Sequence, residues 1–594
     1  MQAELPRHRL PWSFFVQLCT GPASAAVIEN LRSGQLSRRK LQARALTELL
    51  ATRPDSPAHA WSVLVAADRR DPGLVNELLL HPSAGVWLTR TLRKLSGAAT
   101  DSTPLRTDLD YLASIAGAAA TRCGLPCTLE VPVVHGVITL PTVGQVTLPS
   151  AFPAGRAVLE VSPDGAAAVR TLTSSASVTF SAPEPSPGFA PVTRHTATSH
   201  RLRLSIEVDD RGPYRTFSAP IGPRPLDPLE YAEWTKLLDE AWDILTTHYR
   251  GFAEELSTGM STLVPLESEN SITGASSSIA FGAIAMTPKY SAVDLAEALV
   301  HELQHSKLNA LFDLVELHDP DCDELFYAPW RDDPRPIGGL LHGALAFVTA
   351  VEFWRVQAEH EQDDELYAQF NYAYRRRQVR QTAETLLASP ALTGFGRRFV
   401  ASIAERLSAV EDSAVTDEVR EVVAKVADEH QAAWRLQHLR PDENQVLALA
   451  KAWSTGAQEP PGPLGPAVVV PCHRSLTRSP RSDLLKLRFL GQENAVPPAR
   501  TRNLSTADLH YVAGDRDQAR AAYTATIRAS PQDDQAWLGL GLTSPAEADG
   551  TRSILLTSPH VVLAVRDKLL ARNHRLDRPV ELVRWLNTAS VPAD

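Results

Sequence analysis

A chain of 594 residues, 44% hydrophobic and 22% charged, can fill several cores without metal or disulfide support; this excludes wholesale disorder, a collagen-like repeat and a disulfide-stapled miniprotein. Its 59 basic and 69 acidic residues leave a net charge of −10, a balance that argues against a nucleic-acid or anionic-membrane partner. The five cysteines are too few and too irregularly spaced for a disulfide framework.

In chain order, Met1–Trp12 has no basic stretch leading into a long apolar core, and the short run Trp12–Leu18 is soon followed by Gly21 and Pro22. No signal peptide is expected. No apolar stretch of about 18 residues stands out, so no membrane span is expected either, and the reading is cytoplasmic. Residues 1–125 read as helical, with apolar residues three or four apart in Leu41–Leu50 and Leu105–Ala120. Cys123 and Cys127 form a C-x₃-C pair with no third cysteine placed for an iron–sulfur cluster. Cys19, Cys322 and Cys472 stand alone and are expected to be small buried apolar residues.

From about Thr128 the period shortens. Leu129–Val134, Val137–Leu148, Ala157–Val161, Ser177–Phe180 and Arg201–Val208 are strand-like, with Ala182–Pro191 a Pro/Ser-rich loop, so residues 126–225 are expected to form an antiparallel β-rich region. Helical periodicity returns over Leu226–Leu256 through Trp234, Leu238, Trp242 and Leu245. Two strand-like runs follow, Thr262–Leu266 and Ser277–Met286. A helical block then runs from Ser291 to about Gly456, broken by the proline-rich Asp319–Pro336 loop. Residues 226–456 are read as one helical core. Glu459–Pro471, with five prolines and two glycines, reads as a linker to a helical region over 457–594. There, Gly514, Ala519, Tyr523, Pro531 and Trp537 match the offsets of one tetratricopeptide-type hairpin; a single copy predicts a cap on its own domain. The expected fold class is α+β, predominantly helical, with a helical metal-binding core, a β-rich middle and a TPR-like C-terminal cap.

One motif carries chemistry: His301-Glu302-Leu303-Gln304-His305. H-E-x-x-H arises by chance about 0.03 times in a chain of this length and composition. Ser291 and Asp294 give a capping-box-like start, and Leu295, Leu299, Leu308 and Leu311 continue the helix through the motif. One turn apart, His301 and His305 can bind one cation, and Glu302 lies about 100° around the helix, within reach of a bound water. The plainer alternative is two histidines and a glutamate on a half-exposed helix. A catalytic metal needs a third protein ligand. His342, opening an apolar helix at Gly338–Ala344, is the first choice; Glu352 and His318, or a carboxylate of the His318–Glu324 loop, are the alternatives. Ten residues apart on one helix, His342 and Glu352 are about 15 Å from each other and cannot easily share one site.

The HELQH helix, the Phe326–Pro336 loop and the Gly338–Gly343 run resemble the HExxH-motif peptide-modification proteins, bacterial and mainly actinobacterial, of ribosomally synthesised, post-translationally modified peptide pathways. The resemblance is strongest over Ser277–Trp354. Some members carry this region beside a radical-SAM module, whose C-x₃-C-x₂-C motif this chain lacks. For stand-alone members the resemblance implies iron(II)- and 2-oxoglutarate-dependent hydroxylation at the β-carbon of a residue in a precursor peptide.

On that reading His301, His305 and His342 hold iron and Glu302 acts beside it. Arg331 and Arg335 offer planar forks to the keto acid's distal carboxylate, with Tyr327 and Trp330 walling the pocket. The competing reading of the loop has both arginines bridging Asp332 and Asp333. Ser277–Met286 reads either as a sheet edge that could pair with extended substrate or, equally, as a structural strand in a small sheet. Two other functions fit the motif. One is a zinc metallopeptidase with Glu302 as general base and Glu352 or His342 completing the site. The other is a non-catalytic scaffold for a peptide or partner enzyme. Both enzyme readings point to a peptide substrate.

Overall fold

The computed structural model describes residues 8–589 except 52, 54–55, 100, 149–154, 172–176, 268–272, 290, 361–364, 410–414, 478, 493–503 and 545–551. Residues 1–7 of the Met1–Trp12 stretch therefore lie outside the described residues. The fold is α+β and predominantly helical. It divides into two compact units, Met1–Leu317 and His318–Asp594. That division falls inside 226–456, which periodicity alone reads as one core. Periodicity reports that a helix has a buried face but not which neighbours bury it.

The first unit opens with helices α1 (Trp12–Thr20), α2 (Ala25–Leu50), α3 (Ala58–Arg70), α4 (Pro72–Leu80), α5 (Pro82–Leu95) and α6 (Leu105–Cys123). Proline at the first position starts α4 and α5, where its missing N–H is no loss. The Ala-rich α6 is buried along almost its whole length, and Gly124 (φ +60) ends it in the left-handed region.

Strands β1 (Cys127–Val133), β2 (Val137–Leu140), β3 (Gly144–Thr147), β4 (Gly155–Val161), β5 (Ala167–Thr171), β6 (Ser177–Phe180), β7 (Phe189–Pro191), β8 (Arg194–Ser199) and β9 (Leu202–Val208) follow. The first seven build two antiparallel sheets, β1-β4-β5-β6 and β2-β3-β7. Val131, Ile138, Leu140, Leu159 and Val169 are fully buried among them. Strand β7 lies in the stretch read as a loop. Phe189 stacks on Phe180 at 4.3 Å, so tertiary packing overrides the local Pro and Ser content.

The third sheet, which takes up β8 and β9, is mixed. After α7 (Pro228–His248) and α8 (Arg250–Gly259), β10 (Thr262–Pro265) runs parallel to both β9 and β12 (Ala283–Met286). The two-residue β11 (Gly274–Ala275) pairs antiparallel with β12. Helix α9 (Ala292–Phe312) ends the unit, with Leu295, Leu299, Leu308 and Leu311 buried.

In the second unit, β13 (Leu325–Phe326) pairs with β14 (Arg335–Pro336). Helices α10 (Ile337–His360), α11 (Glu365–Ala388), α12 (Gly394–Ser408), α13 (Asp417–His438) and α14 (Glu443–Ser454) follow. Contrary to expectation, α10 is long and apolar enough to cross a membrane, but 72% of its most apolar window is buried inside the protein. It packs on α11 and α12 as a core helix.

The Glu459–Pro471 stretch is tied into this unit instead of separating domains. Val468–Val469 pairs with Leu439–Arg440, Gln445 donates to the Pro463 carbonyl, and the Leu464 N–H donates to the Ala589 carbonyl. In α15 (Arg481–Phe489), the fully buried Arg481 bonds Glu429 Oε1 at 2.7 Å and Asp508 Oδ1 at 3.0 Å. Asp508 also accepts from Tyr523 Oη at 2.7 Å. These bonds join α13 to the helices Thr506–Ala513 and Arg516–Ala529. Of the five cysteines, all free, Cys19 is buried, Cys123, Cys127 and Cys322 are half-buried and Cys472 is exposed.

Candidate metal centre

The site is built on α9. Ser291 Oγ accepts from the Asp294 N–H at 3.1 Å, starting the helix where the Ser291/Asp294 spacing predicts. One turn apart, the rings of His301 and His305 stand 4.9 Å apart and nearly perpendicular. Among the described residues, His301, Glu302 and His305 form the group whose ligand atoms all lie within 4.8 Å of one another, as a shared cation requires. Glu297, one turn before His301 on the same helix, places Oε1 3.8 Å from His301 Nδ1 and adds negative charge beside the pair. Two imidazoles one helical turn apart are a ligand pair suited to iron(II) and to zinc, with Glu302 beside them in reach of a bound water.

Glu302 is buried beneath the outer strand of the mixed sheet. It accepts from the Ser276 hydroxyl, and a Cβ placed on Gly274 would stand 2.9 Å from its Oε1. Burial pushes the Glu302 carboxyl up to about 7; Glu297 adds to this, while Ser276 and Lys289 oppose it. Of the two readings of Ser277–Met286, the structure has the structural strand. Ala283–Met286, within the Ser277–Met286 run, is an inner strand buried at every position, and among the described residues β11 is the outer strand. An alternating pattern would have marked an edge facing solvent, but these four residues are apolar throughout.

On the opposite face of α9, Lys307 Nζ bonds Glu255 Oε1 and Gln304 Oε1. Gln304 Nε2 reaches Glu255 Oε2 at 3.3 Å, and the Ala23 N–H also donates to Glu255. Sequence reading missed Gly274, Ser276, Glu297 and Glu255. Only Glu297, four residues before His301 on the same helix, was detectable from spacing.

No protein-family model matches the chain, and no curated protein matches it.

The other expected residues belong to the second unit. His342 lies on α10, partly buried, and its ring is pushed down to about 4 by burial, with the Arg335 charge adding, so it stays neutral. Glu352 is held by Arg406 through two bonds of 2.7 and 2.8 Å, which occupy both carboxylate oxygens. His318 Nδ1 contacts the Asp319 carbonyl at 2.9 Å. Arg331 and Arg335 both close on Asp333, at 2.7 and 3.1 Å, one of the two carboxylates of the competing reading, while Asp332 Oδ1 lies 3.6 Å from His430 Nε2. A keto-acid carboxylate would have to displace Asp333, so the residues as they stand do not fit a 2-oxoglutarate anchor. Trp330 packs on Phe347, and Tyr327 Oη bonds His430 Nδ1 at 2.7 Å, so both serve packing within the unit.

Proposed function

We propose that this chain is an iron(II)- and 2-oxoglutarate-dependent oxygenase that hydroxylates the β-carbon of a residue in a ribosomally made precursor peptide. The observation that carries the metal-dependent part is the convergence of His301, Glu302 and His305 within 4.8 Å. The resemblance of the HELQH, Phe326–Pro336 and Gly338–Gly343 segments supports the choice of reaction. Iron held by His301 and His305 would supply the oxidising chemistry; Arg331 and Arg335, closed on Asp333, are not the keto acid's anchor as they stand.

The chain's own residues supply position and proton control. His301 and His305 are the imidazole ligands, and His342 is offered as the third on sequence position alone. Glu302 is a carboxyl able to hold a proton near neutrality beside them. The β11 edge offers main-chain groups that could align an extended peptide. A cytoplasmic site of action goes with this reading, since the substrate is made by the ribosome.

Zinc peptidase activity is the second reading. It is favoured by the burial of Glu302 next to two histidines, where a general base would act on a bound water. One experiment separates the two. The protein is purified without oxygen and loaded with iron(II) and 2-oxoglutarate; the oxygenase shows a charge-transfer band and yields succinate on exposure to air. No band, together with cleavage of a candidate peptide in zinc buffer, selects the peptidase. Glu302→Gln is expected to retain metal and lose about 10²–10⁴-fold in turnover under either reading. A His342→Ala protein with full metal occupancy removes the third-ligand assignment.

A further inference from the structure

Strand β8 is an outer strand of the third sheet, whose order is β11-β12-β10-β9-β8. It pairs with β9 in unbroken register from Arg194↔Glu207 to Ser199↔Leu202. The two-residue turn makes Ser199 and Leu202 a hydrogen-bonded pair, so Ala197 and His195 also bond toward β9. The Thr193 carbonyl continues that row, accepting from the Val208 N–H at 2.9 Å. The main-chain groups of Arg194, Thr196 and Thr198 therefore point away from the sheet. The Arg194 carbonyl takes the Tyr231 hydroxyl at 3.4 Å. Among the described residues, the N–H and C=O groups of Thr196 and Thr198 have no hydrogen-bond partner.

Sheet edges of this kind are ordinarily blunted by proline, lysine, a bulge or a covering element. Strand β8 has no proline, glycine, lysine or bulge, and its β-branched Thr196 and Thr198 are both exposed. Helix α7 covers only one face of the strand. There His195 Nε2 meets Asp239 Oδ1 at 2.8 Å and Ser199 Oγ donates to Asp243 Oδ1 at 2.6 Å.

The other face carries Arg194, Thr196 and Thr198, set opposite Glu207, Ser205 and Arg203 of β9. Glu207 is buried, so the exposed charge of this face is positive. Arg201 adds to it from the turn, where it and His200 hold φ of +65 and +44. Asn-Gly is the usual occupant of such a turn, because a Cβ is crowded at positive φ. Arg201 and Arg203 are exposed and make no ion pair among the described residues, in a chain whose net charge is −10.

We propose that the β8 edge takes up an extended acidic peptide segment as an added strand. Its main chain exchanges hydrogen bonds with Thr196 and Thr198. Every second side chain falls on the positive face, where carboxylates reach Arg201 and Arg203 over the short threonines. A second copy of this chain fits less well, because antiparallel pairing of two β8 strands would bring the partner's arginines to the same face. This edge is at the far end of the sheet from β11. The proposal does not rest on the reading of the α9 centre.

The test is fluorescence anisotropy of the full chain with a fluorescein-labelled hexapeptide of alternating glutamate and threonine, in low salt. Saturable binding is expected, and the same peptide N-methylated at alternate residues is expected not to bind. Arg203→Glu is expected to weaken binding about tenfold or more. Thr196→Pro, which deletes an N–H that the sheet does not use, is expected to weaken it about five- to tenfold. If Thr196→Pro fails to fold, the N-methylated peptide still reads the main-chain bonds. No binding of the acidic peptide overturns the proposal. So does equal binding of the N-methylated peptide, of a lysine-for-glutamate peptide, or of the acidic peptide to Arg203→Glu. A dimer in sedimentation that Thr196→Pro dissociates gives the edge to a second copy and also overturns it.

Discussion

Lys307 Nζ lies 2.5 Å from Glu255 Oε1, and both side chains are sealed from solvent. Lys307 follows His305 by two residues, so the pair grips the back of the helix whose front carries the histidines. Removing one partner of a buried pair strands the other charge. Lys307→Met is expected to lower stability by about 3–5 kcal/mol, and Lys307→Met with Glu255→Leu to recover much of that. Urea unfolding followed by circular dichroism reads both; equal loss in the single and double variants would contradict the account.

Gly274 matters for lack of a side chain. A Cβ there would meet Glu302 Oε1 at 2.9 Å, so the buried carboxyl would have to shift from its place beside the histidines. Gly274→Ala is expected to reduce turnover by about tenfold to a hundredfold while metal content stays at the wild-type level. Kinetics set beside metal analysis check this, and unchanged turnover would show that the carboxyl's placement is immaterial.

Because Arg406 occupies both oxygens of Glu352, that residue is expected to hold structure and not metal. Glu352→Gln should leave metal stoichiometry intact and lower stability by about 1–2 kcal/mol. Metal loss from this variant would restore Glu352 as a ligand.

His560 gives the second unit an acid weakness. Burial, aided by Arg435, depresses its ring from the ordinary 6.5 to about 3, so the folded chain keeps it neutral while the unfolded chain takes up a proton below about 6.5. Its contribution is fully present above 6.5 and is lost as pH falls from there toward 3, by about 1.4 kcal/mol per pH unit. His560→Gln is expected to flatten this part of the stability profile between pH 6.5 and 4.5, measured by denaturant midpoints. A slope unchanged in the variant would assign the acid sensitivity elsewhere.

Local signals were legible where one element decides its own fate. Ser291 and Asp294 start α9, and the alternation in Cys127–Val133 and Leu202–Val208 forms strands. They failed where partners distant in sequence decide. Phe189 joins a sheet through Phe180, and Val468–Val469 finds Leu439–Arg440 from inside a proline-rich stretch. The site divides in the same way. His301, Glu302 and His305 could be read off one turn of helix, whereas Glu255 and Gly274 reach the motif only through folding. For Arg331 and Arg335, loop composition allowed two outcomes, and the nearest carboxylate, Asp333, decided between them.

The bonds of Arg481 to Glu429 and Asp508 also bear on how the protein can be dissected. A chain cut before residue 481 would leave Glu429 enclosed and facing no cation, a heavier penalty than the loss of the missing apolar area alone. The C-terminal fifth is thus no detachable appendage. A boundary drawn at the proline-rich stretch, the obvious place for an expression truncation, would be expected to yield an insoluble fragment.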